Sequence, residues 1–144
     1  GGHRCLLPEA YEKGWHHISQ NFETVSKVAP KLFWEALNAM VARTGVDLGR
    51  VRFFLANIPT RHLSDLLLEK IKADERFRDV ALYSKLAERG YPGPPAVLIA
   101  LDEFVRETDL KPGDLIMSLV TESSKWMHGG FILEPAGAPG PWPR

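Results

Sequence analysis

Two short stretches, Ile99-Ala100-Leu101-Asp102-Glu103 and Leu110-Lys111-Pro112-Gly113-Asp114-Leu115-Ile116, decide the fold. Pro95 lacks a backbone donor and suits the first turn of a helix, and Leu101, Phe104 and Val105 keep the helical step to about Thr108. Lys111-Pro112-Gly113-Asp114 is dense in turn formers, so the chain reverses there. Leu115 to Val120 then reads as a strand, and Gly130 to Leu133 as a second, with an irregular polar connection between them.

Towards the N-terminus the same alternation of helix and strand continues. Val51 to Ala56 is an apolar run broken only by Arg52, the pattern of a strand buried within a sheet, and Asn57 and Pro59 close it. Thr60 is a helix cap, and Leu63, Leu66, Leu67 and Ile71 form one face of the helix that follows. Asp79 to Tyr83 reads as another short strand, and Gly90-Tyr91-Pro92-Gly93-Pro94-Pro95 as irregular. Upstream, Val25, Val28, Ala29, Leu32, Phe33, Ala36, Leu37, Met40 and Val41 recur at steps of three and four. Pro30 within that run predicts a break or kink, with the main helix over Pro30 to Thr44 and Gly45 ending it. The order helix, strand, helix, strand, helix, strand, strand predicts an α/β fold with a mixed sheet and helices packed on it. Residues 1–21 read as an irregular N-terminal arm, 22–134 as the folded body, and 135–144 as a flexible Pro- and Gly-rich tail.

Composition narrows the function classes. The 144 residues are 44% hydrophobic and 25% charged, which suits one globular domain. Eighteen Lys and Arg offset 18 Asp and Glu, so no net field draws the chain to nucleic acid or to an anionic membrane. The one cysteine, Cys5, excludes an internal disulfide framework and the four-thiolate zinc sites, and leaves a single nucleophile or an inert thiol. A cytoplasmic, reducing compartment and no membrane span are expected. His16 and His17 are adjacent and point in opposite directions on an extended chain, so no metal site is expected there.

From about Phe22 to Glu134 the chain resembles the C-terminal half of the 3-oxoacyl-(acyl carrier protein) synthase III family, within the thiolase-like condensing enzymes. The two opening stretches look like that family's helix, turn and penultimate strand. Gly45-Val46-Asp47-Leu48 through Val51-Arg52-Phe53-Phe54-Leu55 is similar to the segment leading into the family's catalytic histidine. The resemblance implies half of a thiolase-like fold, acyl-CoA or acyl carrier protein thioesters as substrates with no further cofactor, and a nucleophilic cysteine on another chain. It implies an N-terminal-half or ketosynthase-like partner and a role in fatty-acid-like or secondary-metabolite biosynthesis. Two other readings stand beside it: a non-catalytic subunit that stabilises a ketosynthase-like partner, and an independent α/β binding module.

The resemblance also nominates site residues and shows where this chain departs from the pattern. The family writes His-Gln-Ala-Asn after its strand, whereas this chain has Asn57-Ile58-Pro59-Thr60. Asn57 can donate and accept hydrogen bonds but is no base near neutral pH, so it either holds a thioester carbonyl or only terminates the strand. The family's asparagine, in a Gly-Asn-Thr-Ser loop, falls at Tyr91, which is either a donor over the pocket or the aromatic filling of a Pro-rich turn. The loop facing the reactive centre is Thr121 to Gly130 here; His128 is its acid-base candidate, and Ser123, Ser124 and Trp126 are its pocket-lining candidates. Arg61, His62 and Lys70 form a candidate docking face for an acyl carrier protein, His62 standing where the family often has arginine. Asp65 and Glu69 on the same helix suit an ordinary solvated face equally well.

Overall fold

The computed structural model describes residues 7–14, 21–93, 95–122 and 127–135. In chain order the elements are α1 (Leu7–Glu12), α2 (Phe22–Thr44), β1 (Val51–Asn57), α3 (Arg61–Ala73), β2 (Ala81–Tyr83), α4 (Leu86–Arg89), α5 (Ala96–Glu107), β3 (Leu115–Glu122) and β4 (Met127–Leu133). The order of the main helices and strands is the one the sequence predicts. Two short helices are added, α1 inside the N-terminal arm and the four-residue α4 just after β2.

Pro30 does not break the long helix. α2 runs for 23 residues with Pro30 inside it, so the helix absorbs both the missing hydrogen bond and the crowding of the ring against the preceding turn, and both its ends are capped. The Asn21 side chain accepts from the Thr24 amide at 2.9 Å, and Gly45 closes the far end at φ 68°, a left-handed conformation that glycine adopts without strain. The hairpin is also more regular than expected. β3 extends to Glu122 and β4 begins at Met127, in antiparallel register with Val120 opposite Gly129 and Thr121 opposite His128.

The four strands lie in the order β2-β1-β3-β4. β1 pairs in parallel with β2 on one side and β3 on the other, and β4 adds an antiparallel edge. Both central strands are apolar runs because both faces of the sheet are covered. Phe54, Met117 and Leu119 meet Leu37 of α2 and Leu67 and Ile71 of α3 on one face. Leu55 and Ile116 meet Val97 and Phe104 of α5 on the other. Phe104 is the centre of this second layer, edge-on to Phe53 at 5.0 Å and to Tyr83 at 4.9 Å between ring centroids. The chain thus leaves β1 towards β2 under α3 and returns to β3 past α5. That reversal beside β1 is a topological switch point, where α/β sheets open a crevice at the carboxyl ends of their strands. No helix among the described residues is long and apolar enough to cross a membrane.

Candidate active-site cleft

Side chains alternate along a strand, so Phe53, Leu55 and Asn57 of β1 share the α5 face. Asn57 is the last residue of β1, at its carboxyl end. It is buried, with 6% of its surface exposed, and neither its Nδ2 nor its Oδ1 has a hydrogen-bond partner among the described residues. Most buried polar atoms are paired, so an orphaned carboxamide at a strand end calls for a reason. It lines a narrow cleft, open to solvent, whose walls come from Ile58, from the segment Ser84–Pro92 and from Ala96, Ile99 and Ala100 of α5.

Charges fasten one wall of this cleft. Lys85 Nζ lies 2.8 Å from Glu107 Oε2 and donates to Oε1 at 3.0 Å, and the Tyr83 hydroxyl donates to Oε2 at 3.0 Å. The Arg89 guanidinium grips Glu103 Oε1 through Nη2 at 2.6 Å and Nε at 2.7 Å. Glu103 Oε2 is buried and has no partner among the described residues. The Lys85 bond, and after it the Tyr83 bond, hold the Glu107 carboxyl below its ordinary range, and the same carboxylate raises Lys85. Tyr83 is raised first by burial and then by its bond to Glu107, and Glu103 raises Arg89. The sequence reading missed these four charges. Their signal was present: Lys85 and Arg89 are four residues apart, as are Glu103 and Glu107, so each pair falls on one helical face.

The other nominated residues separate in space. Tyr91 shares the Asn57 cleft, 39% exposed, in a turn between Gly90 and Gly93, whose φ angles are 69° and 84°. His128 does not share it. It sits on β4 opposite Thr121, its Nδ1 3.1 Å from the Thr121 hydroxyl. Alternation puts His128, Gly130 and Ile132 on the α2 face, where Ile132 joins the core and a side chain at Gly130 would meet Met40 of α2. Arg61, His62 and Lys70 are exposed on α3, away from the cleft lining, and Arg61 Nε is 3.9 Å from Asp65. Ser123, Ser124 and Trp126 lie outside the described residues, as do Cys5, His16 and His17. Among the described residues no three His, Cys, Asp or Glu side chains cluster to hold a metal ion.

No protein-family model matches the chain, and no curated protein matches its sequence. A solved structure does match: AbyA1, a tetronic acid condensing enzyme, with a TM-score of 0.68 and 22% sequence identity over 81% of this chain. The chain spans 37% of that protein's length. What the two share is the fold, an α/β body with a mixed sheet and helices on both faces.

Proposed function

We propose that the chain is the C-terminal half of a synthase III-like condensing enzyme or acyltransferase acting on acyl thioesters. The single observation that carries this reading is Asn57. The resemblance puts the catalytic histidine at this position, and here a buried carboxamide with no hydrogen-bond partner among the described residues stands at the same strand end, beside a cleft. The complementary half, with the nucleophilic cysteine, comes from a companion polypeptide. Acylation of that cysteine releases the donor thiol, and the acyl group then passes to an acceptor. Asn57 holds the thioester carbonyl through Nδ2, as an oxyanion donor does, while Tyr91 supplies a hydroxyl at the cleft mouth. Asn57 cannot take a proton, so acyl transfer suits this site better than a condensation that needs a base. Arg61, His62 and Lys70 are the docking face for a carrier protein, and the route is fatty-acid-like or secondary-metabolite synthesis in the cytoplasm.

One observation favours a second reading, a non-catalytic subunit that completes a ketosynthase-like partner. His128, the acid-base candidate, is on the face of the sheet opposite Asn57. Native mass spectrometry of the protein from its own source, followed by intact-mass measurement after incubation with a panel of acyl thioesters, separates the two. The first reading expects a companion that gains an acyl mass on a cysteine. A companion that never acylates leaves the structural subunit.

A further inference from the structure

We infer that the segment Lys85–Gly93 is a lid over Asn57, and that the unpaired carboxamide beneath it is what drives the lid to open. This rests on geometry and on no acyl chemistry. Asn57 is 6% exposed, and its Nδ2 and Oδ1 are both closed to water and without a partner among the described residues. The free space in the cleft beside it is about 20 Å³, room for little more than one water molecule. In this closed form the carboxamide has lost its hydration and has gained no bond in exchange. Any motion that lets water or a ligand's carbonyl reach it is favoured by that amount.

The walls of the cleft differ in how firmly they are held. Ala96, Ile99 and Ala100 belong to α5, which Val97 and Phe104 root in the core, and Ile58 packs against the layer on the other face. The wall that contains α4 has no such root. α4 is one turn long, with no side-chain N-cap and no buried residue, so lifting it exposes little apolar surface. Its fastenings are Lys85 with Glu107 and Arg89 with Glu103, each pair having one partner half or more exposed, and such pairs are weak. Gly90 and Gly93 bound its far end, at φ 69° and 84°. A Cβ would meet nothing within 4 Å at Gly90 and only the Pro95 ring, at 4.0 Å, at Gly93, so backbone angle and not space calls for glycine there. Element-terminal residues of this kind absorb the angle change of a hinge. The open form is the one in which a carbonyl can meet Nδ2, so a substrate that binds at Asn57 selects it.

The test is hydrogen exchange of the ¹⁵N-labelled 144-residue chain, followed at the Asn57 side-chain amide and at the backbone amides of Glu88, Arg89 and Gly90. Those three donate to the Lys85 and Leu86 carbonyls, and a single turn does not hold once lifted. After correction for intrinsic rates, Asn57 and the three lid amides are expected to report one opening of the same size, nearly insensitive to urea. The Phe54 and Met117 amides at the sheet centre are expected to wait for urea-sensitive unfolding. Glu103→Gln combined with Glu107→Gln should speed Asn57 and the lid amides by the same factor, about threefold. Asn57→Leu, which deletes the orphan, should slow the lid amides by at least about tenfold. An Asn57 side chain that exchanges only together with Phe54 and Met117 overturns the lid. So does faster exchange of the lid amides in the glutamine variant with Asn57 unmoved. Lid amides no slower in Asn57→Leu overturn the part given to the carboxamide, and if that variant does not fold, the first two readouts decide. None of them involves a thioester, so the condensing reading stands or falls on its own experiment.

Discussion

Gly130 and Gly129 are neighbours in sequence and opposites in constraint. A Cβ on Gly130 would be driven into the Ser118 carbonyl oxygen and would sit 3.1 Å from Met40 Sδ, whereas a Cβ on Gly129 meets nothing within 4 Å. The methionine end can move; the carbonyl belongs to β3 and cannot move without disturbing the ladder that pairs Ser118 with Leu55 and Phe131. Ser118 is itself fixed, fully buried with its hydroxyl donating to the Leu55 carbonyl at 2.9 Å. Gly130→Ala is therefore expected to destabilise the fold by about 3 kcal/mol, the upper end of ordinary overpacking, and Gly129→Ala by less than about 0.5 kcal/mol. Urea denaturation of the two variants checks this. Similar costs at both positions would show that α2 does not press on β4 where the structure puts it.

At the scale of elements, the segment from Lys85 to Pro92 matters most, because α4 is too short to stand by itself and has no side-chain N-cap. It is held against α5 by Lys85 with Glu107 and by Arg89 with Glu103. Glu107 is depressed in the folded chain, so its contribution is complete above the unfolded carboxylate pKa and is lost as pH falls through the folded value. Lys85 is raised, so its contribution is complete below the unfolded lysine pKa and is lost as pH rises through the folded value. The wall should thus be best fastened between the two and loosen at both extremes. Exposed pairs contribute little to global stability, so the readout is local: amide exchange at Leu86 to Gly90, corrected for its intrinsic pH dependence, should show this window, and Glu107→Gln should flatten its acid side. An unchanged acid limb in that variant would leave Arg89 as the only fastening. This wall also marks where legibility ended. The apolar rhythm of Val51 to Ala56, the cap at Thr60 and the turn at Lys111 to Asp114 placed β1, α3 and β3 within a residue or two, because each is a local signal. Asn57 and Tyr91 were legible as a site through resemblance. Lys85 and Glu107 were not, since their meeting depends on a helix returning over the sheet, and a spacing of four on each strip becomes a contact only after that crossing. Alternation could have placed His128 on the far face, but only once the register with Thr121 was known.

Over the whole molecule, the two faces of the sheet are unequally covered. α2 and α3 share one face, while among the described residues α5 alone covers the other. Its outer side shows Leu98, 64% exposed, and Ile99, 42% exposed. In a chain of formal net charge +0 there is little long-range repulsion to keep copies apart near neutral pH. Under the proposed pairing with a companion half, this outer side of α5 is where the companion would lie, and without it the chain should associate with itself. Light scattering coupled to size exclusion is then expected to show mass rising with protein concentration. Leu98→Lys combined with Ile99→Gln should return the monomer mass and weaken companion capture together. The double variant should keep its free energy of unfolding to within about 0.5 kcal/mol, because surface changes away from the core rarely cost more and neither side chain belongs to the Phe104 layer. A variant that stays monomeric yet still captures its companion would move the interface elsewhere, to the β4 edge, where Met127 and Leu133 are the exposed apolar residues.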